Sequence, residues 1–224
     1  MRLIDRWVGI PLCFFASFWP LKKAQADSNS TLATNIPPPD TIVFILIAEI
    51  GALVVAYPAI KETRKQHPKS RICFITAPAG LQTLELMGFE KEDIFLLETS
   101  SIKSLLKGIV NIRSHFKGGR VSAIVLEPFT RFSTLLSAWI GASKRIGCYR
   151  FLNEGVFLGN ILTHRLVYNP HLHISQTYFA LAKALIEPDS AKPLLKEHVP
   201  SQIKNRLKIN IPEKERQTLM KRLQ

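Results

Sequence analysis

TIVFILIAEIGALVVAYPAI, residues 41 to 60, decides the fold. Residues 42 to 47, IVFILI, are unbroken apolar and rich in β-branched side chains, the composition of a strand buried on both faces of a parallel sheet. Gly51 follows closely. It lets the chain turn sharply from strand into helix and brings the free amides of a helix start toward a bound anion or sugar hydroxyl. Pro58 falls inside that helix, where its missing N–H predicts a kink or a restart.

The same unit recurs along the chain. Strands are predicted at 71 to 76 (RICFIT), 93 to 98 (DIFLLE), 121 to 126 (VSAIVL) and 144 to 148 (KRIGC), alternating with amphipathic stretches in the manner of a parallel sheet covered by helices. In the helix predicted over 101 to 116, Ile102, Leu105, Leu106, Ile109 and Phe116 form the apolar stripe, Thr99 or Ser100 supplies the cap and Gly118-Gly119 ends it. In the helix predicted over 171 to 187, Asn169 caps, Pro170 occupies the first turn, and Ile174, Tyr178, Leu181, Ala182 and Leu185 are the buried stripe. The five units predict an α/β fold, a Rossmann-like doubly wound parallel sheet, over residues 41 to 188.

With 224 residues, 46% of them hydrophobic and 21% charged, the chain holds one good core. The 30 Lys plus Arg against 17 Asp plus Glu leave a net charge of +13, which favours anionic partners: an acidic membrane surface, phosphorylated substrates or nucleic acid. The basic residues are spread along the chain without the aromatic interleaving of RNA-binding sheets, so nucleic acid is not the expected partner. Cys13, Cys73 and Cys148 are odd in number, far apart and set among apolar neighbours, a pattern of a reducing compartment without disulfides or a CxxC metal site. The six histidines offer no HExxH, and His171 and His173 would point to different sides of a helix, so no metal ligand set is expected.

Residues 7 to 21, WVGIPLCFFASFWPL, are strongly apolar between Arg2 and Arg6 on one side and Lys22 and Lys23 on the other. The run is shorter than the roughly 20 residues a membrane span needs, and Pro11 and Pro20 interrupt it. Its aromatic residues between basic flanks suit a segment, residues 1 to 23, lying in a lipid interface. Two other readings stand beside it: a secretory signal, because Ala24-Gln25-Ala26 imitates a cleavage site, and a core helix of the folded domain. Asp5 in the basic region and Lys22-Lys23 before the cleavage site speak against export. Residues 24 to 40 are polar and end in three prolines, as a linker would.

Ligands of open α/β sheets collect at the carboxyl ends of the strands. The residues just past those ends are Glu49 and Gly51, Thr76 to Gly80, Glu127 to Arg131, and Tyr149-Arg150. Neither GxGxxG nor GxxxxGK[ST] occurs, so a dinucleotide fingerprint or P-loop is excluded. Glu49 ends a buried strand, where desolvation would raise its pKa toward that of a general base; the alternative is an ion pair or a helix-start contact. Arg131, Arg145 and Arg150 can form forks for a phosphate or carboxylate, or pair with Glu127, Glu154 or backbone carbonyls.

Three blocks, ILIAEIGALVVAYPAI, LEPFTRFSTLLSAWIGASKRIGCYR and LTHRLVYNPHLHISQ, together resemble glycosyltransferase family 9, the heptosyltransferases that extend the lipopolysaccharide core, over about Thr41 to Glu187. The resemblance implies a GT-B enzyme of two Rossmann-like domains, the first for an anionic glycolipid acceptor and the second for a nucleotide-sugar such as ADP-heptose, inverting and needing no metal or other cofactor. It carries Gly51, Arg131, Arg145, Arg150 and His171 as substrate contacts. The family's base is an aspartate directly after the turn glycine; this chain has Ala52 there, and Glu49 is the substitute expected to serve. Residues 189 to 224, ending PEKERQTLMKRLQ, read as a linker and the start of a donor-binding domain whose strands do not follow, so the chain is expected to be one half of such an enzyme and inactive alone. A non-catalytic binding or scaffold protein on the same fold is the other expectation.

Overall fold

The computed structural model describes residues 9–18, 38–151 and 156–187, with 217, 220 and 221, and leaves aside the side chains of 150 and 151. Of the expected linker over 24 to 40, residues 24 to 37 lie outside the described residues, as do the candidate cleavage site, Glu154 and nearly all of 189 to 224.

Six strands, β1 (Thr41–Ile45), β2 (Arg71–Thr76), β3 (Ile94–Leu96), β4 (Val121–Val125), β5 (Lys144–Phe151) and β6 (His164–Tyr168), form one sheet in the order β3-β2-β1-β4-β5-β6, every pairing parallel. The reversal of order at β1 and β4 makes the sheet doubly wound, as the sequence predicts. Five of the strands fall where they are expected, and β6 is an addition. Helices α1 (Gly9–Phe18), α2 (Ile50–Gln66), α3 (Leu81–Leu86), α4 (Ile102–His115), α5 (Arg131–Trp139) and α6 (Ile174–Lys183) accompany them.

Strand alternation sorts the core into two layers. Ile42, Phe44, Ile72, Phe74 and Ile124 face α2, α3 and α6, where Leu53, Ile60, Leu84, Tyr178 and Leu181 complete one cluster. Val43, Ile45, Cys73, Ile75 and Val125 face α4 and α5, packing with Ile112, Phe116, Leu136 and Ile140. The central strands β1 and β4 are buried along almost their whole length, the outcome expected of strands covered on both sides.

Several local expectations change. α2 runs unbroken through the buried Pro58. The orphaned acceptor is the Val54 carbonyl one turn back, on a residue that is itself exposed, so water can satisfy it. The cap of α4 is Ser101: its hydroxyl accepts from Ser104 N at 3.1 Å, while Ser104 Oγ accepts from Ser101 N, a reciprocal box one or two residues later than expected. α6 begins at Ile174 because His173, not Asn169, caps it, with Nδ1 accepting from Ser175 N at 3.2 Å and Gln176 reaching back to His173 N. Of the stripe predicted on α4, Phe116 is buried and Leu105 and Ile109 are partly so, but Ile102 and Leu106 are exposed and Ile112 takes the inward position.

α1 lies on α5. Gly9 and Cys13 are its buried residues, and a Cβ on Gly9 would press on Arg131 Cδ at 2.9 Å. Ser17 Oγ donates to Cys13 O and accepts from Asn160 N at 3.1 Å, tying the helix to the turn before β6. That turn needs Gly159, whose φ is 58° and whose missing Cβ leaves room for Cys13 O at 2.8 Å. The segment is therefore a docked helix with one face buried and the other, Ile10, Leu12, Phe14, Phe15 and Phe18, exposed.

At the amino-terminal edge of the sheet, Lys144 donates to the carbonyls of Leu185 (2.9 Å) and Glu187 (3.0 Å), and His164 Nε2 meets the Glu187 carbonyl at 3.0 Å. The end of the last helical segment is thus pinned to the starts of β5 and β6. Asp40, paired with Arg120 at 2.8 Å, closes the same edge near β1, and the guanidinium holds its carboxyl below the usual range.

Candidate functional site

The carboxyl ends of β1 and β4 lie side by side in the centre of the sheet, and the loops that leave them are organised by Glu127. This carboxylate is buried. One oxygen accepts from Ile47 N at 2.9 Å and Ala48 N at 2.5 Å; the other accepts from Ser133 Oγ in the first turn of α5. A buried carboxylate costs several kcal/mol unless its lone pairs are filled, and here three donors fill them. The loop leaving β1 is thereby fixed to the loop leaving β4.

On that fixed loop, Glu49 is the N-cap residue of α2, with extended backbone and no side-chain cap bond. It is exposed, so the desolvation expected at a buried strand end is absent; what the position offers is an unshielded carboxylate at the edge of the crevice. Gly51 lies in the first turn of α2, exposed, with open space where a Cβ would stand. No steric demand for glycine exists at that point; the open space leaves the helix start approachable. Ala52 turns inward and joins the core. The next loop is tight for a packing reason: a Cβ on Gly80 would strike Thr76 Oγ1 and meet Leu53 Cδ1 at 3.2 Å, so only glycine lets that loop sit against α2.

Two of the three candidate arginines, Arg131 and Arg145, do not reach the crevice. Arg145 is the second residue of β5, at the amino-terminal edge, 1% exposed, with Nε donating to Ile161 O at 2.6 Å and Nη1 to Ala142 O at 2.5 Å. A guanidinium spent on main-chain carbonyls at that end is a structural clasp and is corrected as a substrate fork. Arg131 opens α5 but is buried beneath α1, with Nε donating to Phe157 O at 3.1 Å. Arg150 is placed by its backbone, opposite Val167 on β6, and its side chain lies outside the described set. His171 is exposed in the turn before α6, its N–H donating to Asn169 Oδ1 at 3.0 Å, so neither it nor His173 is a helix residue.

At the crevice stand aromatic residues that the sequence reading did not single out as site residues. Phe129, two residues beyond Glu127, is the one non-glycine residue with positive φ (61°) among those described, and its ring meets Tyr168, at the end of β6, at 5.6 Å. A bulky residue in the left-handed region is strained by about 1–2 kcal/mol, a cost that recurs at functional loops. Tyr178 of α6 is buried, and its phenol is held above its usual pKa first by burial and then by the negative charges of Glu49 and Glu127 and the neighbouring Tyr168. Its predicted role as a core residue is met, but its neighbours are those of the crevice.

No family model matches the chain, and no curated protein matches it in sequence. Solved structures do match in fold. The E. coli ADP-heptose lipopolysaccharide heptosyltransferase II superposes with a TM-score of 0.56 at 16% identity, covering 82% of this chain and 50% of its own. A glycosyl transferase family 9 protein from Veillonella parvula gives 0.56 at 17% identity, with 81% and 48% covered. E. coli heptosyltransferase WaaC with ADP-2-deoxy-2-fluoro heptose gives 0.53 at 10% identity, with 68% and 50% covered. The chain thus has the Rossmann-like α/β fold of one half of these GT-B proteins and spans about half their length.

Proposed function

We propose that this chain is the acceptor-binding half of a heptosyltransferase-type glycosyltransferase, transferring a sugar from a nucleotide-sugar such as ADP-heptose to a lipopolysaccharide-core or similar anionic glycolipid. The observation that carries the reading is the match of this doubly wound sheet to one half of each of three solved relatives of that class, all with about the same half-length coverage. In this reading Glu49 accepts the proton of the acceptor hydroxyl as its oxygen bonds to the anomeric carbon, the bond from that carbon to the nucleotide phosphate breaks, and the electron pair leaves with the phosphate. The exposed position of Glu49 on a loop fixed by Glu127 supports the role. Donor contacts belong to a second domain.

The exposed apolar face of α1, between the basic flanks Arg2, Arg6, Lys22 and Lys23, supports work at an anionic membrane surface, peripheral on the cytoplasmic side of the inner membrane. Among the described residues no helix is long and apolar enough to cross a membrane. A second reading, a non-catalytic binding protein on the same fold, is favoured by one feature: Ala52 is buried where the resemblance places an acid.

The test is a sedimentation assay with heptose-deficient lipopolysaccharide, followed by a transfer assay on this chain joined to a heptosyltransferase donor domain. Retention of the glycolipid and transfer that collapses on Glu49→Gln is the expected result. Normal turnover of the Glu49→Gln form at neutral pH removes the base assignment, and glycolipid retention without any transfer selects the second reading.

A further inference from the structure

Tyr178 is 2% exposed, but its hydroxyl makes no hydrogen bond among the described residues and is not one of their fully buried unpartnered atoms, so the ring is buried while the oxygen at its tip opens to the crevice. The side chain leans toward the start of α6, as helical side chains do, and that start lies at the carboxyl-terminal edge because α6 follows β6 and runs back along the sheet. Glu49, Glu127 and Tyr168 are near enough to act on it electrostatically. Phe129 is held against Tyr168 by a left-handed backbone that only a fixed loop sustains.

From this juxtaposition we infer that Phe129, Tyr168, Tyr178 and Glu49 form a subsite for one face of a neutral sugar ring, the acceptor pyranose. The Tyr178 hydroxyl donates to a sugar oxygen, Glu49 accepts from a sugar hydroxyl, and the Phe129 and Tyr168 rings offer apolar surface to the C–H face. Two carboxylates that act on the phenol disfavour a phosphate placed there, and two of the arginines expected to attract one are engaged elsewhere, Arg145 at the opposite edge and Arg131 beneath α1. The inference rests on the acceptor-half reading and names the part of the acceptor that this crevice holds: a ring bearing free hydroxyls, with any phosphate lying outside it.

The full 224-residue chain carries four tyrosines, Tyr57, Tyr149, Tyr168 and Tyr178, so ring-labelled tyrosine gives an NMR signal that Tyr→Phe variants assign one by one. Titration with methyl α-mannopyranoside is expected to move the Tyr168 and Tyr178 resonances, leaving Tyr57 and Tyr149 in place, while inorganic phosphate moves none. Tyr178→Phe keeps the apolar ring and is expected to weaken the pyranoside Kd about five-fold, the loss of one neutral hydrogen bond, with an unchanged thermal midpoint. An unaltered Kd in Tyr178→Phe overturns the subsite, as do phosphate moving the same two rings or the pyranoside moving neither. Glycolipid retention without a pyranoside effect removes the subsite and leaves the acceptor-half reading standing; a pyranoside effect without glycolipid retention does the reverse.

Discussion

Cys73, in the middle of β2, has its thiol pushed up to about 12 by burial, from an ordinary 9.0. The folded protein keeps this proton where the unfolded chain has lost it, so the stability it contributes is complete below pH 9 and drains away as pH rises toward 12. Over that window one such group costs about 1.4 kcal/mol per pH unit. Tyr178, also raised, adds to the loss above its ordinary 10.0. Urea unfolding at a series of alkaline pH values should therefore show a falling midpoint, and Cys73→Ala should fall less steeply. At pH 8 the native chain should not react with a thiol reagent at Cys13, Cys73 or Cys148, all buried, until denaturant is added. The arginines mark where residue chemistry alone misleads: Arg145 is as basic as any phosphate ligand, but as the second residue of β5 it starts from the edge opposite the crevice. The sequence already held that clue, since direction along a parallel strand assigns each residue to one edge or the other.

Glu127 binds two elements that are distant in sequence, the end of β1 and the start of α5. Glu127→Leu removes the acceptor and strands the buried amide of Ile47 and the part-buried amide of Ala48, and should cost about 3 kcal/mol, whereas Glu127→Gln retains an oxygen for them and should cost about 1 kcal/mol. Chemical denaturation of the two variants measures both. Ser101→Ala opens the cap of α4 and should cost about 1 kcal/mol by the same measurement. β1, β2 and β4 were legible because a strand covered on both faces must be a continuous apolar run, a strong signal in one dimension. β6 was not, because HRLVY is an edge strand: it begins with His164 and Arg165, and its apolar residues alternate with polar or half-exposed ones. The stripe of α4 was misassigned for a related reason. Ile102, Leu106 and Val110 repeat every four residues as convincingly as the inward set, and periodicity cannot say which of two apolar faces meets the sheet.

At the scale of the whole molecule, the outer face of α1 is an uncovered apolar surface among the described residues, where Phe14 packs edge-on to Phe15 at 5.8 Å and to Phe18 at 5.0 Å. Because the inner face is docked on α5, substituting the outer phenylalanines should leave the fold intact. Phe14→Ser, Phe15→Ser and Phe18→Ser together should abolish co-sedimentation with vesicles containing phosphatidylglycerol, the wild-type chain should be released by high salt, and circular dichroism should be unchanged. Equal sedimentation of both forms would move the membrane contact elsewhere. Of the crevice, Glu49 and the loop Glu127 to Arg131 with Phe129 were legible from their places just past β1 and β4, whereas Tyr168 and Tyr178 were not, because they come from segments with no common spacing that only the strand order brings to the others. The clasp of Lys144 and His164 on the Glu187 carbonyl has a mechanical meaning for the same assembly. It fixes Glu187 on the far side of the sheet from the crevice. In the proposed two-domain enzyme, a donor domain that follows Glu187 would have to reach back over about 17–25 Å, the length of a strand, which takes roughly six or more extended residues. A connection shorter than that would uncouple the two proposed halves without touching a single side chain of the site.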